Sequence, residues 1–195
     1  VYKETITISS NMILLKPMDI ITLEDIKQLI TNQISENKFE YKSDFPLNNQ
    51  IVKTCSAFAN TSGGVLIIGM KTDAANKPIE ICGIPKQVGY EERITSIVES
   101  NITPLIIPEI KIFDLEQPDK VVIFVRINES FGKPHMASDN KYYFGINSQS
   151  LPMEHDQVRR LFETSYEFEN KMTKEIDVRK SSISVPEDKC YFIHF

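Results

Sequence analysis

Apolar residues recur along this chain at two different spacings, and each change of spacing marks a change of element. Leu23, Ile26, Leu29, Ile30 and Ile34 fall three to four apart, the period of one helix face, so a helix is predicted over 22–34, with Thr22 and Asp25 as a loose capping box at its start. After the polar break Ser35-Glu36-Asn37-Lys38, Phe39 and Tyr41 alternate with Glu40 and Lys42. That is the two-residue period of a strand, with an aromatic face for the core and a charged face for something polar. Ile51, Cys55, Phe58 and Ala59 return to the helical period in a segment that opens near Asn48 or Asn49, both competent caps. Gly63 and Gly64 can close that helix in the left-handed conformation, and the unbroken run Val65 to Ile68 then reads as a strand covered on both faces. Gly69 lets a neighbour approach its backbone.

The remaining segments follow the same reading. Thr5-Ile6-Thr7-Ile8 and Met12-Ile13-Leu14-Leu15, stopped by Pro17, predict two short strands or an extended arm. Lys71 to Pro78, with Asp73 and Asn76, reads as a hairpin loop, and Pro78 to Ile84 as the returning strand. Tyr90, Ile94, Ile97 and Val98 predict a helix over 88–101, ended by Pro104. Strands Ile106 to Leu115 and Val121 to Ile127 flank the turn cluster Glu116-Gln117-Pro118-Asp119. A loop follows from Glu129 to Asn140, then a core strand from Tyr142 to Ile146 and a terminal helix from Met153 to Phe168. Glu169 to Lys189 is expected to be a linker or a solvated helix end, and Cys190 to Phe195 an isolated β-like run. The fold class expected is α+β: a central mixed sheet of about six strands with two to four packed helices, the 49–62 and 88–101 helices among them. Three regions result: an arm over 1–21, the main domain over 22–168, and a tail over 169–195.

Composition bounds the function. With 195 residues, 41% of them hydrophobic and 25% charged, the chain suits one soluble domain with appendages. No apolar run approaches the ~20 residues of a membrane span, so no membrane partner is expected. The opening Val-Tyr-Lys has no signal-peptide pattern, and without an initiator Met a trimmed fragment is expected. Cys55, Cys82 and Cys190 form no CxxC pair, which argues against a disulfide framework or a zinc knuckle and for a reducing, cytoplasmic setting. The net charge of −5 weighs against nucleic-acid binding by the whole surface and leaves room for a local basic patch.

Asn60-Thr61-Ser62-Gly63-Gly64, an apolar strand ending in Ile68-Gly69, Glu40-Tyr41-Lys42 upstream, and Lys133-Pro134-His135 with Tyr142-Tyr143-Phe144 downstream form an ordered set. The set resembles the Schlafen AlbA-type domain, a nucleic-acid-binding family, over roughly residues 30 to 165. A phosphate loop is excluded, because it has a strand before its glycines and a lysine after them, the reverse of the order here. The resemblance implies a nucleic-acid-binding domain, RNA preferred and DNA also considered. Some members are divalent-metal-dependent endoribonucleases acting on structured RNA such as tRNA. On that pattern Glu36, Glu40 and Asp73 are the catalytic and metal-ligating candidates for Mg²⁺ or Mn²⁺, although their spacing departs from the family's and Lys71 and Thr72 stand where an acid is expected. A non-catalytic regulatory or interaction module is the alternative, and a homodimer is a further expectation, since AlbA-like sheets often pair.

Each candidate has a second reading. The three acids read first as a solvated rim. Lys42 reads as a phosphate contact or as an ion pair with Glu40. Asn60, Thr61 and Ser62 read as caps for the helix end. His135 could donate to phosphate or anchor its loop. Lys133, Lys141, Tyr142, Tyr143, Phe144, Arg159 and Arg160 set cations beside aromatics, as base stacking needs. Of these, Lys133, Lys141 and Tyr143 join Lys42 and His135 as nucleic-acid contacts, though alternation buries one of Tyr142 and Tyr143.

Overall fold

The structure is a computed structural model and describes residues 10–34, 37–146 and 149–182. The strands are β1 (Phe39–Lys42), β2 (Gly64–Ile68), β3 (Met70–Thr72), β4 (Pro78–Ile81), β5 (Ile84–Pro85), β6 (Ile102–Thr103), β7 (Glu109–Asp114), β8 (Lys120–Ile127), β9 (Met136–Ala137), β10 (Tyr143–Ile146) and β11 (Gln149–Pro152). The helices are α1 (Ser10–Leu15), α2 (Leu23–Thr31), α3 (Asn48–Asn60), α4 (Tyr90–Asn101) and α5 (His155–Ser182).

The architecture is α+β around a mixed sheet. β1 lies parallel to β2, joined to it through α3, and β2 pairs antiparallel with β8. β7 takes the far edge of β8, and β5 continues the β2 side where Ile84 pairs with Val121. This makes a five-stranded sheet among the described residues.

Alternation in β2 and β8 divides the core in two. Leu66, Ile68, Ile123 and Val125 face α3 and α4, while Val65, Ile67, Val122 and Phe124 face the α1 and α2 side with Phe39 and Tyr41. All of the β2 residues are buried, as a strand covered on both faces requires. Each such aliphatic side chain contributes about 1.5–3 kcal/mol through burial. Cys55 is fully buried in the first layer, and desolvation, with the Glu40 charge adding to it, pushes its thiol up to about 12.

Local chemistry sets the boundaries. Thr22 and Asp25 make the capping box that opens α2. Leu47, rather than Asn48 or Asn49, caps α3, and the Gln50 side-chain carbonyl accepts its N–H at 3.0 Å. Gly63 takes φ +74° and donates its N–H to Phe58 O, which ends α3. Gly64 is not left-handed and simply begins β2. At Gly69, φ is +99° and a Cβ would sit 3.1 Å from Gly83 Cα and 3.2 Å from Val121 O, so the close approach there is backbone on backbone.

Four expectations need correction. Met12 to Leu15 belongs to helix α1, not to a strand, since an apolar run this short carries no period of its own. Its carbonyl end is fixed by Arg126, which donates to Leu14 O and Lys16 O and pairs with Glu109. Pro78 to Ile84 is split by Gly83 at φ +63° into β4 and β5, which belong to different sheets. β10 does not join the central sheet but pairs with β11. The terminal helix runs on to Ser182, so the solvated-helix alternative describes 169–182. Thr5 to Ile8 and Cys190 to Phe195 lie outside the described residues.

Candidate nucleic-acid interface

Two of the three acidic candidates, Glu40 and Asp73, lie among the described residues. Glu36 lies outside the described residues. Glu40 sits on the α3 face of β1, where its carboxylate meets Lys42 Nζ at 2.9 Å and lies close to Cys55. Both side chains are partly buried, so the ion-pair reading of Lys42 is the one the geometry carries. Asp73 lies at the tip of the β3–β4 hairpin, where Oδ1 accepts the N–H groups of Ala75 and Lys77 at 2.9 and 2.8 Å. Lys77 of the same hairpin reaches Gln33 at the end of α2, on the opposite side of the sheet from α3. Glu40 and Asp73 are therefore not brought together, and each carboxylate already has its partners. Among the described residues no group of three His, Cys, Asp or Glu side chains could hold a metal ion.

The Asn60 and His135 motifs, in contrast, meet. Asn60 is buried and does not cap its own helix; Thr61 does that, its hydroxyl donating to Ala57 O at 2.8 Å. The Asn60 amide instead donates to His135 O at 2.9 Å and Tyr143 O at 3.0 Å, and its oxygen accepts the His135 N–H at 2.6 Å. Ser56 adds a bond to the same His135 carbonyl at 3.0 Å. One amide thus staples the end of α3 to the Lys133–His135 loop and to β10.

His135 itself is 1% exposed, with Nδ1 2.7 Å from Pro104 O. A carbonyl only accepts, so Nδ1 carries the proton and donates, which leaves the buried Nε2 without a partner among the described residues. A ring in that position anchors its loop and cannot reach phosphate, which corrects its place among the contacts. Burial is the main cause holding its pKa below the usual 6.5, with nearby Lys133 adding to the effect against the Pro104 hydrogen bond. The sign follows from linkage: a group protonated more readily when unfolded destabilises the fold as pH falls. The melting temperature is expected to decline as pH drops through and below about 6.5, and a His135→Gln variant to show a flatter decline over the same range. An equal slope in both proteins would assign the acid sensitivity elsewhere.

Tyr143 is likewise corrected. It is buried at 3% exposure, its hydroxyl donates to Asp139 at 2.5 Å, and burial first and this partner second push it up to about 12. The Lys53 ammonium covers its ring, 5.5 Å from the centroid. Tyr142 is the outward member of the pair. Lys133 is mostly covered, bound to Glu129 at 2.7 Å and to Thr61 O at 3.3 Å, so its charge is largely neutralised. Lys141 is exposed, as are Arg159 and Arg160 on α5.

On the α5 side of this surface Arg159 and Arg160 were legible from the sequence as cations near aromatics, but the helix's own rings were not. Phe162 follows the helical period and reads as core, yet it is 52% exposed, as Tyr166 one turn later is 67%. Tyr142 meets Phe162 edge to face at 6.1 Å. Ser165 lies 2.5 Å from Lys133 O and 2.9 Å from Phe131 O, and Phe131 stacks on Phe168 at 4.9 Å, so α5 is fastened across the loop.

The class of protein these features define is an α+β domain whose glycine-closed helix is stapled to a Lys-Pro-His loop. The model of the Schlafen, AlbA_2 family matches residues 36–154, more than half of the chain, and the chain belongs to that family. Among solved structures it is similar to the DIP2311 protein from Corynebacterium diphtheriae, with 12% identity and a TM-score of 0.46, over 67% of this chain and 29% of that one. No curated protein matches. Among the described residues no helix is long and apolar enough to cross a membrane.

Proposed function

We propose that the chain is a nucleic-acid-binding module that contacts phosphate through Lys141, Arg159 and Arg160. The observation that carries this reading is the Tyr142–Phe162 contact, which sets the residue just before β10 against α5. Lys141 is next to one ring in sequence, and Arg159 and Arg160 are within one turn of the other. Arg159 is also paired at the surface with Glu163 at 3.6 Å and Asp156 at 4.0 Å. Phosphate contacts supply affinity and exposed rings supply a stacking surface, the two parts of single-strand recognition. RNA is preferred over DNA on the family resemblance. The finer reading, a Mg²⁺- or Mn²⁺-dependent endoribonuclease, asks for carboxylates converging on one ion. The described residues do not fit that ion, because Glu40 is paired with Lys42 and Asp73 is held by its own turn on the other side of the sheet.

The test is fluorescence anisotropy with labelled tRNA, single-stranded RNA and duplex DNA across 50–200 mM salt, with cleavage followed separately on gels. Affinity is expected to fall steeply with salt, and the Lys141→Ala, Arg160→Ala double variant to lower the log–log slope by about 0.7 to 0.9 for each phosphate no longer neutralised. Lys42→Ala should change the slope little, its charge being committed to Glu40. EDTA should leave binding unchanged. Binding that ignores salt would overturn the phosphate reading, and Mn²⁺-dependent cleavage abolished in Glu40→Gln would replace the module with the nuclease.

A further inference from the structure

Between the first half of α5 and the loop leading into β9 lies a cleft of about 370 Å³, lined by Pro104, Pro134, Tyr142, Phe162, Tyr166 and Glu169 among others. Its volume is at the lower end of the range for small-ligand sites, about 300–1,000 Å³. Its lining is mostly apolar, with Pro104, Pro134 and the rings of Tyr142, Phe162 and Tyr166, and Tyr142 and Phe162 stand at 78° to one another. The charged members are Glu169 and Lys133, the latter already paired with Glu129. Phe162 and Tyr166, four residues apart on one helix, lie on neighbouring turns of the same face. The Ser165 bonds to the loop carbonyls and the Phe131–Phe168 stack fix α5 over the loop. The walls are therefore set before any ligand arrives, which lowers the ordering cost of binding.

Phe162 and Tyr166 keep more than half of their surface exposed. We propose that the cleft receives one unpaired nucleobase carrying an exocyclic amine, delivered by a single strand whose phosphates lie on Lys141, Arg159 and Arg160. This inference rests on the nucleic-acid reading above and adds the form of the substrate. A base has two flat faces to offer proline and aromatic walls, and stacking of this kind tolerates any base. Selectivity comes from Glu169. An ionised carboxylate only accepts, so it pairs with the exocyclic amine of adenine, cytosine or guanine. Uracil and thymine instead set an oxygen on each side of their one edge donor, N3–H, and those oxygens repel it. A base inside a duplex presents neither a free face nor a free pairing edge, so a continuous duplex does not fill the cleft. Rings with a carboxylate also suit an organic cation. The neighbouring Lys141, Arg159 and Arg160 oppose that ligand.

The experiment compares labelled ten-residue oligo-rA, oligo-rC and oligo-rU with an abasic strand of equal charge and a blunt duplex. Wild type, Phe162→Ala, Tyr166→Ala and Glu169→Gln are measured, all exposed positions whose far-UV spectra should match wild type. Oligo-rA and oligo-rC are expected to bind more tightly than oligo-rU and the abasic strand. Phe162→Ala should weaken oligo-rA by about five- to one-hundredfold while leaving the abasic strand unchanged. Glu169→Gln should erase the preference for rA over rU. Salt-sensitive binding that is equal for oligo-rA and the abasic strand, and indifferent to Phe162→Ala, would overturn the cleft proposal and leave the phosphate reading standing. No binding of any strand at low salt would end both. Displacement of oligo-rA by tetramethylammonium at concentrations where adenosine monophosphate fails would assign the cleft to cations and overturn the proposal.

Discussion

Gly63→Val is expected to lower the melting temperature by roughly 5–15 °C. Gly63 sits at φ +74°, and a Cβ placed there would meet Ile127 O at 2.8 Å and Glu129 N at 2.9 Å. The left-handed conformation costs about 1–2 kcal/mol for a residue with a side chain. The clash is with backbone of β8 and the residues just after it, which cannot rotate aside, and overpacking of this kind costs about 1–3 kcal/mol more. A domain of this size loses about 2–4 °C for each kcal/mol. Gly64→Ala is the informative comparison. There φ is not positive, and the added Cβ would lie 2.4 Å from the Phe58 ring, a buried side chain that would have to repack but is not fixed backbone. The loss should be smaller, and Gly63→Ala should exceed Gly64→Ala in a thermal melt. The reverse order would mean that neither the left-handed backbone nor the β8 clash governs the turn.

The second large effect concerns Asn60. Asn60→Ala would leave the His135 N–H and Tyr143 O without their buried partner, while His135 O keeps Ser56. Each stranded group costs about 1–3 kcal/mol, so a loss of about 2–5 kcal/mol is expected by chemical denaturation. The loss should exceed that of Ser56→Ala, which leaves Asn60 on the shared carbonyl. Because the staple holds the His135 loop, the His135 pKa should also rise toward 6.5 in Asn60→Ala, as followed by the imidazole resonance in NMR. A denaturation midpoint within experimental error of wild type would show that the loop is held by other contacts.

Much of the fold could be read from spacing. The α2 cap, β1, α3, the glycine turn, β2, α4, β7 and β8 all follow from apolar period and turn residues, because each buries a regular face. What escaped was set by distant partners. Met12 to Leu15 becomes a helix end because Arg126, 110 residues from Lys16 in sequence, binds its carbonyls. β10 leaves the central sheet for β11, a pairing that no local pattern announces. For the site, the motif residues Asn60 and His135 were legible as important but not as partners of each other, since the bond between them spans 75 positions. Lys42 and Asp73 were legible as polar, but whether a charge is free depends on what it faces, and both face groups that satisfy them. Phe162 shows the opposite error, an apolar residue at core spacing that ends on the surface, where spacing alone cannot say whether a neighbouring element arrives.

The sheet has two open sides. β1 at one side pairs only with β2 among the described strands, and β7 at the other only with β8. Each is an edge of the sheet, the kind of place at which a second molecule could add a strand and begin an aggregate. β1 is four residues long and carries Glu40 and Lys42, while β7 carries Glu109, Lys111 and Asp114. Lys111 is further committed to the carbonyls of Met18, Asp19 and Ile21 at 2.7–2.8 Å. An incoming strand would have to lie against these charges, so the ion pairs that settle the local geometry also keep concentrated protein from polymerising through its sheet.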